Sequence, residues 1–174
     1  QAFGMQLMKL ASWNVNSVKM RLPHVLDWLK ANQPDALMLQ ELKCETDAFP
    51  ALEFSSIGYQ AVVQGQKAYN GVAILTRDKV EVVAKQLDAT DEQARFLHIV
   101  LNGVHLINLY APNGNPVDTD KFPYKLQWLG QLHDYFGKLL ASEVPFVAGG
   151  DYNIIPTEAD VHDPKAWAND ALFR

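Results

Sequence analysis

The order of apolar segments in this chain predicts an α+β layered sandwich. Three observations lead there. A strand–helix–strand unit opens the sequence, a run of hairpin strands follows, and one long helix with a last strand comes after them. That order departs from the regular βαβ alternation of a parallel sheet. Asn102-Gly103, set between two apolar runs, is the strongest short-range hairpin signal in the chain. Finally, 174 residues with 48% hydrophobic and 20% charged side chains suffice for one substantial core and argue against disorder.

The elements follow in order. Leu7 to Trp13 reads as the first strand. Pro23 marks a helix start, and Val25, Leu26, Trp28 and Leu29 give that helix one apolar face before Asn32-Gln33-Pro34 ends it. Ala36 to Leu39 is short and wholly apolar, as a central strand should be. Residues 45–57, with Pro50, read as a loop holding a short helix. Tyr59 to Val63, Gly71 to Thr76 and Val80 to Val83 are strand candidates, with Thr76-Arg77-Asp78-Lys79 as a hairpin turn. Phe96 to Leu101 and Val104 to Tyr110 flank Asn102-Gly103, and residues 111–120 form a turn-rich loop. A helix is expected from Pro123 to Leu140, then a strand over Val144 to Ala148 and a loop-rich tail with a helical turn near Pro164 to Ala168. Residues 8–155 are expected to form one sheet of about half a dozen strands, its inner face covered by further chain or a partner.

Composition narrows the function classes. No run reaches the roughly eighteen apolar residues a membrane helix needs. The first eight residues lack the basic and apolar regions of a signal peptide. One cysteine, Cys44, rules out an internal disulfide. A net charge of −5 counts modestly against a nucleic-acid partner, since backbone contacts need cations. An enzyme that holds metal on carboxylates can still be acidic in total and basic only at its cleft.

Three apolar strands each end on an acid or amide: Asn14, Gln40-Glu41, and Asp151 with Asn153. Glu41 alone reads as a solvated loop residue, or as a Mg²⁺ or Mn²⁺ ligand, because those ions favour carboxylate oxygens. Asp151 with Asn153 reads as an Asx-turn, or as a functional pair made close to the backbone by Gly149-Gly150. Asn14 is open to a turn role as well.

Six segments carry a resemblance to a known family. Ser12-Trp13-Asn14-Val15-Asn16-Ser17, Leu39-Gln40-Glu41-Leu42-Lys43, Tyr69-Asn70-Gly71-Val72-Ala73-Ile74, Asn108-Leu109-Tyr110-Ala111-Pro112-Asn113-Gly114, Lys121-Phe122-Pro123-Tyr124-Lys125 and Gly150-Asp151-Tyr152-Asn153-Ile154-Ile155-Pro156 resemble, in order, the motifs of exonuclease III. This is the bacterial abasic-site endonuclease and 3′-exonuclease of the endonuclease/exonuclease/phosphatase superfamily. The resemblance implies a four-layer α/β/β/α sandwich, this chain supplying mainly the first sheet and its outer helices. Residues 1–7 would be a flexible N-terminus or expression remnant, and residues 8–174 the N-terminal portion of a single domain.

The resemblance also implies chemistry. It makes Glu41 the metal-binding glutamate, with Asn14 beside the metal, and Mg²⁺ (or Mn²⁺) the cofactor. Asp151 would position the attacking water, Asn153 would contact phosphate, and Tyr110 would lie near the scissile phosphate. Arg21, Lys43, Asn113, Lys121 and Lys125 would meet the substrate, and Arg95 could also meet DNA phosphates. The implied substrate is duplex DNA containing abasic sites, nicked on the 5′ side, with 3′-exonuclease and 3′-phosphodiesterase action. The intact protein would be a monomer without membrane contact, in the cytoplasm with the bacterial chromosome. Family members end in a Ser-Asp-His motif, and His24, His98, His105, His133 and His162 do not occupy that place. The 174-residue chain is therefore expected to be nearly inactive alone. Two other readings remain: a phosphoesterase acting on a small phosphorylated substrate, and a non-catalytic DNA- or protein-binding fragment.

Overall fold

The computed structural model describes residues 7–173. The expectation for residues 1–7 therefore falls, Leu7 apart, outside the described residues. Two four-stranded sheets lie face to face. The first contains β1 (Leu10–Asn14), β2 (Ala36–Gln40), β3 (Gln60–Gln64) and β4 (Val72–Thr76), in the order β1-β2-β4-β3. The second contains β5 (Glu81–Ala84), β6 (Phe96–Leu101), β7 (Val104–Tyr110) and β8 (Phe146–Asp151), in that order. The main helices are α1 (Val18–Asn32) and α3 (Lys121–Ala141), with short α2 (Ala51–Ser55) and α4 (Pro164–Trp167) in loops.

The α+β layered class stands, but the expected single sheet does not: the strands divide evenly between two. The error lay at residues 77–80. The expected turn would have paired Gly71–Thr76 with Val80–Val83. Instead β4 runs antiparallel to both β2 and β3, so neither of its edges is free, and the chain crosses to the other sheet to pair β5 with β6. The inner face that seemed to need an outside cover is thus covered by the chain's own second sheet.

Period-two alternation sorts the side chains into three packing layers. Leu37, Leu39, Ala73 and Leu75 point out of the first sheet and pack with Val18, Val25 and Leu29 of α1. Ala36, Met38, Val72 and Ile74 point inward and meet Leu97, Ile99, Leu101 and Leu106 of the second sheet. Phe96, Ile107 and Leu109 point outward again, onto Trp128 and Leu132 of α3. The layers run helix, sheet, sheet, helix.

Two buried amides pin the sheets together. Gln40 Nε2 donates to Asn108 Oδ1 (2.8 Å) and to Ser12 Oγ (3.1 Å). Asn108 Nδ2 donates to the main-chain oxygens of Leu39 (2.9 Å) and Ala73 (2.8 Å) on the opposite sheet. One side chain thereby satisfies two carbonyls of β2 and β4.

Boundaries moved where capping outweighed proline. α1 begins at Val18, five residues before Pro23, because the Ser17 hydroxyl accepts from Met20 N (3.4 Å) and caps the start. It ends on left-handed Gln33, whose N–H donates to Leu29 O (2.9 Å), just before Pro34. α3 starts at Lys121, which leaves Pro123 in the first turn, where a missing N–H costs little. The Asn102-Gly103 hairpin forms as expected, both residues having positive φ (50° and 81°).

Candidate active site at the seam of the two sheets

Two parallel strand pairs, one per sheet, bring their C-terminal ends to the same place. β1 and β2 pair with Asn14 opposite Gln40, immediately before Glu41. β7 and β8 pair with Tyr110 opposite Asp151. The Asn14 amide spans the seam: its Nδ2 donates to Glu41 Oε1 and to Asp151 Oδ2, each at 2.9 Å. The carboxylates, 110 residues apart in sequence, are separated by no more than two hydrogen bonds to one nitrogen. Asn14 Oδ1 is turned back to accept from Asn16 N (3.1 Å), which fixes the amide.

Glu41 has φ +55°, a left-handed conformation that is costly for a glutamate. Its neighbours impose it. Ser17 N donates to Glu41 O (2.8 Å), while Leu42 N donates to Gly71 O (3.1 Å) and Lys43 N to Asn70 O (2.9 Å). Burial pushes the Glu41 carboxyl toward a higher pKa. Hydrogen bonding from Asn14, Tyr110 and Lys43 outweighs that, and the group sits below the usual glutamate range. It is an anion at neutral pH. Lys43 Nζ lies 3.4 Å from Glu41 Oε2 and also donates to Asn16 Oδ1.

Tyr110 shows the complementary effect. Burial, then the negative Glu41 beside it, pushes its phenol up to about 12, so the hydroxyl keeps its proton. Arg95 stacks over the Tyr110 ring (4.9 Å to the centroid) and donates from Nη1 to Tyr110 O (3.1 Å). Gly150 precedes Asp151 with φ +138°, and a Cβ there would stand 2.0 Å from Leu109 O. Only glycine lets β8 come this close to β7. Asn153, also left-handed (φ +47°), donates from its main-chain N to Asp151 Oδ1 (3.0 Å) and from Nδ2 to Ala111 O (2.8 Å).

The structure brings Asn14, Glu41, Tyr110, Asp151 and Asn153 together, with Lys43 at the edge. Asn113 is exposed in the loop after β7, and Lys121 is exposed at the start of α3. Both line a hollow with Gln93, Arg95, Asn115 and Tyr124. Arg21 is half-buried in the first turns of α1. Lys125 is different. It is 1% exposed, and its ammonium is surrounded by main-chain oxygens, so the expectation of a DNA phosphate contact is corrected. The histidines stay apart: His98 and His105 join Tyr135 between the second sheet and α3, and His24, His133 and His162 are exposed. Gln40 and Asn108, which hold the seam behind the site, take no role from the sequence alone; Asn108, an amide inside the apolar run Val104 to Tyr110, is the signal that could have found them.

This seam of strand ends, with two acids shared by one amide, defines a class. Residues 11–173 match the Endonuclease/Exonuclease/phosphatase family, and the chain belongs to that family. Within it the chain is homologous to the exonuclease III type of abasic-site endonuclease. It is 33% identical over 172 residues to exodeoxyribonuclease III of Haemophilus influenzae, covering 92% of this chain and 64% of that protein. It is 29% identical over 170 residues to an exodeoxyribonuclease of Bacillus subtilis, covering 95% of this chain and 66% of that one. Among solved structures, an AP endonuclease from Archaeoglobus fulgidus superposes with a TM-score of 0.91 at 40% identity, covering 97% of this chain and 66% of that one. A 3′-5′ exonuclease from Neisseria meningitidis gives 0.87 at 41% identity, covering 92% and 63%. The chain thus spans a little under two thirds of the length of these relatives.

Proposed function

We propose that this chain carries the carboxylate side of a Mg²⁺-dependent phosphodiesterase that nicks duplex DNA 5′ to abasic sites and acts also on 3′ ends. The observation that carries this reading is the Asn14 amide shared by Glu41 and Asp151 across the two sheets. The names of the relatives, exodeoxyribonuclease III and AP endonuclease, point to the substrate.

Among the described residues no three His, Cys, Asp or Glu side chains gather into a cluster. The acids at the seam are, among the described residues, Glu41 and Asp151. Such a donor set fits a hard cation that keeps most of its waters, Mg²⁺ or Mn²⁺. Glu41 would hold it. Asn14, whose oxygen is engaged by Asn16, serves better to orient the carboxylates than to ligate. Bound there, the ion would neutralise a non-bridging phosphate oxygen and the leaving 3′ oxygen.

The chain's own groups supply the rest. Asp151 is held at both oxygens, by Asn14 and by the Asn153 N–H, and each oxygen keeps a lone pair for a water aligned with the phosphorus. Attack forms one P–O bond and breaks the bond to the 3′ oxygen, and Asp151 takes up the proton the water gives. Tyr110 and the second Nδ2 hydrogen of Asn153, the first being given to Ala111 O, can donate to the charge that grows on the phosphoryl oxygens. Lys43, Arg21, Asn113 and Lys121 would contact the DNA strand around it.

The test is incision of a duplex carrying one abasic analogue, with Mg²⁺, by the full-length protein and by the 174-residue chain. Cleavage 5′ to the lesion by the full-length protein is expected. The 174-residue chain should be nearly inactive, since one missing preorganised donor already costs about 2.7–4 kcal/mol. A full-length protein that hydrolyses small phosphate esters and leaves the abasic duplex uncut would overturn the reading.

A further inference from the structure

Lys125 is a buried cation that the chemistry above does not use. It lies on α3 with 1% of its surface exposed. Its ammonium donates to Asn153 O (2.6 Å), Ala171 O (2.9 Å) and Asn113 O (3.3 Å). No carboxylate lies within ion-pair distance of it among the described residues. Asp170 and Asp151 attract it only from beyond that distance, and burying a charge mainly against neutral dipoles is expensive compared with an apolar side chain in the same space. Its stem leaves no slack: a Cβ on Gly114 would come within 2.7 Å of Lys125 Cδ, and Gly114 has φ +85°.

The three carbonyls belong to three separate loops. Asn113 follows β7 and Tyr110; Asn153 follows β8 and Asp151; Ala171 lies in the tail. The tail and the first loop are tied once more, since Asn115 Nδ2 donates to Asp170 Oδ1 (2.9 Å) and Ala171 N to Asn115 Oδ1 (3.0 Å). Leu172 O accepts from Ile155 N (2.7 Å), so the tail is also fastened to the loop after β8. Asn153 is the residue whose N–H holds Asp151, and it does so in a left-handed conformation.

We propose that Lys125 is a positioning residue for the reaction: it fastens the Asn153 carbonyl to the two neighbouring loops and so fixes the N–H that aims the Asp151 carboxylate. An ammonium has three protons for the three carbonyls of three loops, a number of donors that amide or hydroxyl side chains of similar reach do not have. The effect on turnover rests on the phosphodiesterase reading; the effect on Asn153 does not.

Amide hydrogen exchange tests the structural half in the 174-residue chain. Lys125→Met should lose protection at Asn153 while Ile74 and Leu106 keep theirs. Leu132→Ala, which loosens α3 elsewhere, should lower the melting temperature and leave Asn153 protected. Lys125→Gln, with two donors, serves if Lys125→Met does not fold. In the full-length protein Lys125→Met should lower kcat on abasic duplex by about 100-fold with KM nearly unchanged, the scale of a small misplacement remote from the chemistry. Equal Asn153 protection in Lys125→Met and the parent, or equal loss in Leu132→Ala, would overturn the proposal. If the parent protein incises nothing while Asn153 still loses protection, the phosphodiesterase reading fails and the fastening role stands.

Discussion

Glu41 and Asp151 carry opposite kinds of constraint at one place, a strained backbone in the first and a doubly held carboxylate in the second. Replacing Glu41 by Gln or Asp151 by Asn keeps the shape and removes the charge. Either variant of the full-length protein should lose at least about 100-fold in kcat on abasic duplex, with DNA affinity in a gel-shift assay largely retained. The strand-end positions of these two acids stand out in the sequence, but each alone reads equally as a loop residue or an Asx-turn, and it is the six ordered motifs that set them in one expected site. The burial of Lys125 could not be read there: a lysine one residue past the Phe122-Pro123-Tyr124 start of a helix looks solvated, and only the tertiary fold shows three carbonyls converging on it. His98 gives a separate prediction. It is 1% exposed, bonded to His105 and Tyr135, and burial followed by the neighbouring His105 lowers its pKa to about 4. The unfolded chain binds that proton near pH 6.5, so between about 6.5 and 4 the unfolded state holds more protons and acid removes stability, by about 3 kcal/mol in total. Urea midpoints measured from pH 7 to pH 4.5 should fall, and His98→Asn should flatten the slope.

At the level of elements, polar contacts between layers decide more than periodicity does. The Asn102-Gly103 hairpin and the all-buried β2 were legible because turn chemistry and apolar length are local. The destination of β5 was not, since Thr76-Arg77-Asp78-Lys79 suits a tight turn and a crossover equally well; the choice is made by β3 and β2 occupying both edges of β4. The Gln40–Asn108 bridge then fixes how the sheets stack. Asn108→Ala takes the side-chain donor from the carbonyls of Leu39 and Ala73, while Gln40 Nε2 keeps Ser12 Oγ and Met38 O, and the change should cost about 1–3 kcal/mol. The double variant Gln40→Leu/Asn108→Leu should recover part of that loss in thermal melts, because both ends of one bond are then apolar. A double variant no more stable than Asn108→Ala would show that the loss lies in the bonds to the carbonyls of Leu39 and Ala73, which leucine cannot make.

Across the whole molecule, β1 and β8 are the sheet edges nearest the seam, and each has one strand partner in the described residues. Val147 of β8 faces inward yet is 40% exposed. Open edges with apolar rims invite pairing with other chains. The 174-residue chain should therefore self-associate at tens of micromolar in light scattering after size exclusion, and Val147→Lys should reduce it; a monomer at all concentrations would contradict this. The seam has one more consequence, for a cell in the act of making such a protein. Asn14 and Glu41 leave the ribosome early, whereas Asp151 follows more than a hundred residues later. A nascent or broken chain that holds only the first sheet has half of the acid pair and nothing to aim a water. A protein of this kind, if it cuts DNA as proposed, stays harmless at least until its second sheet has been made and has docked in register on the first.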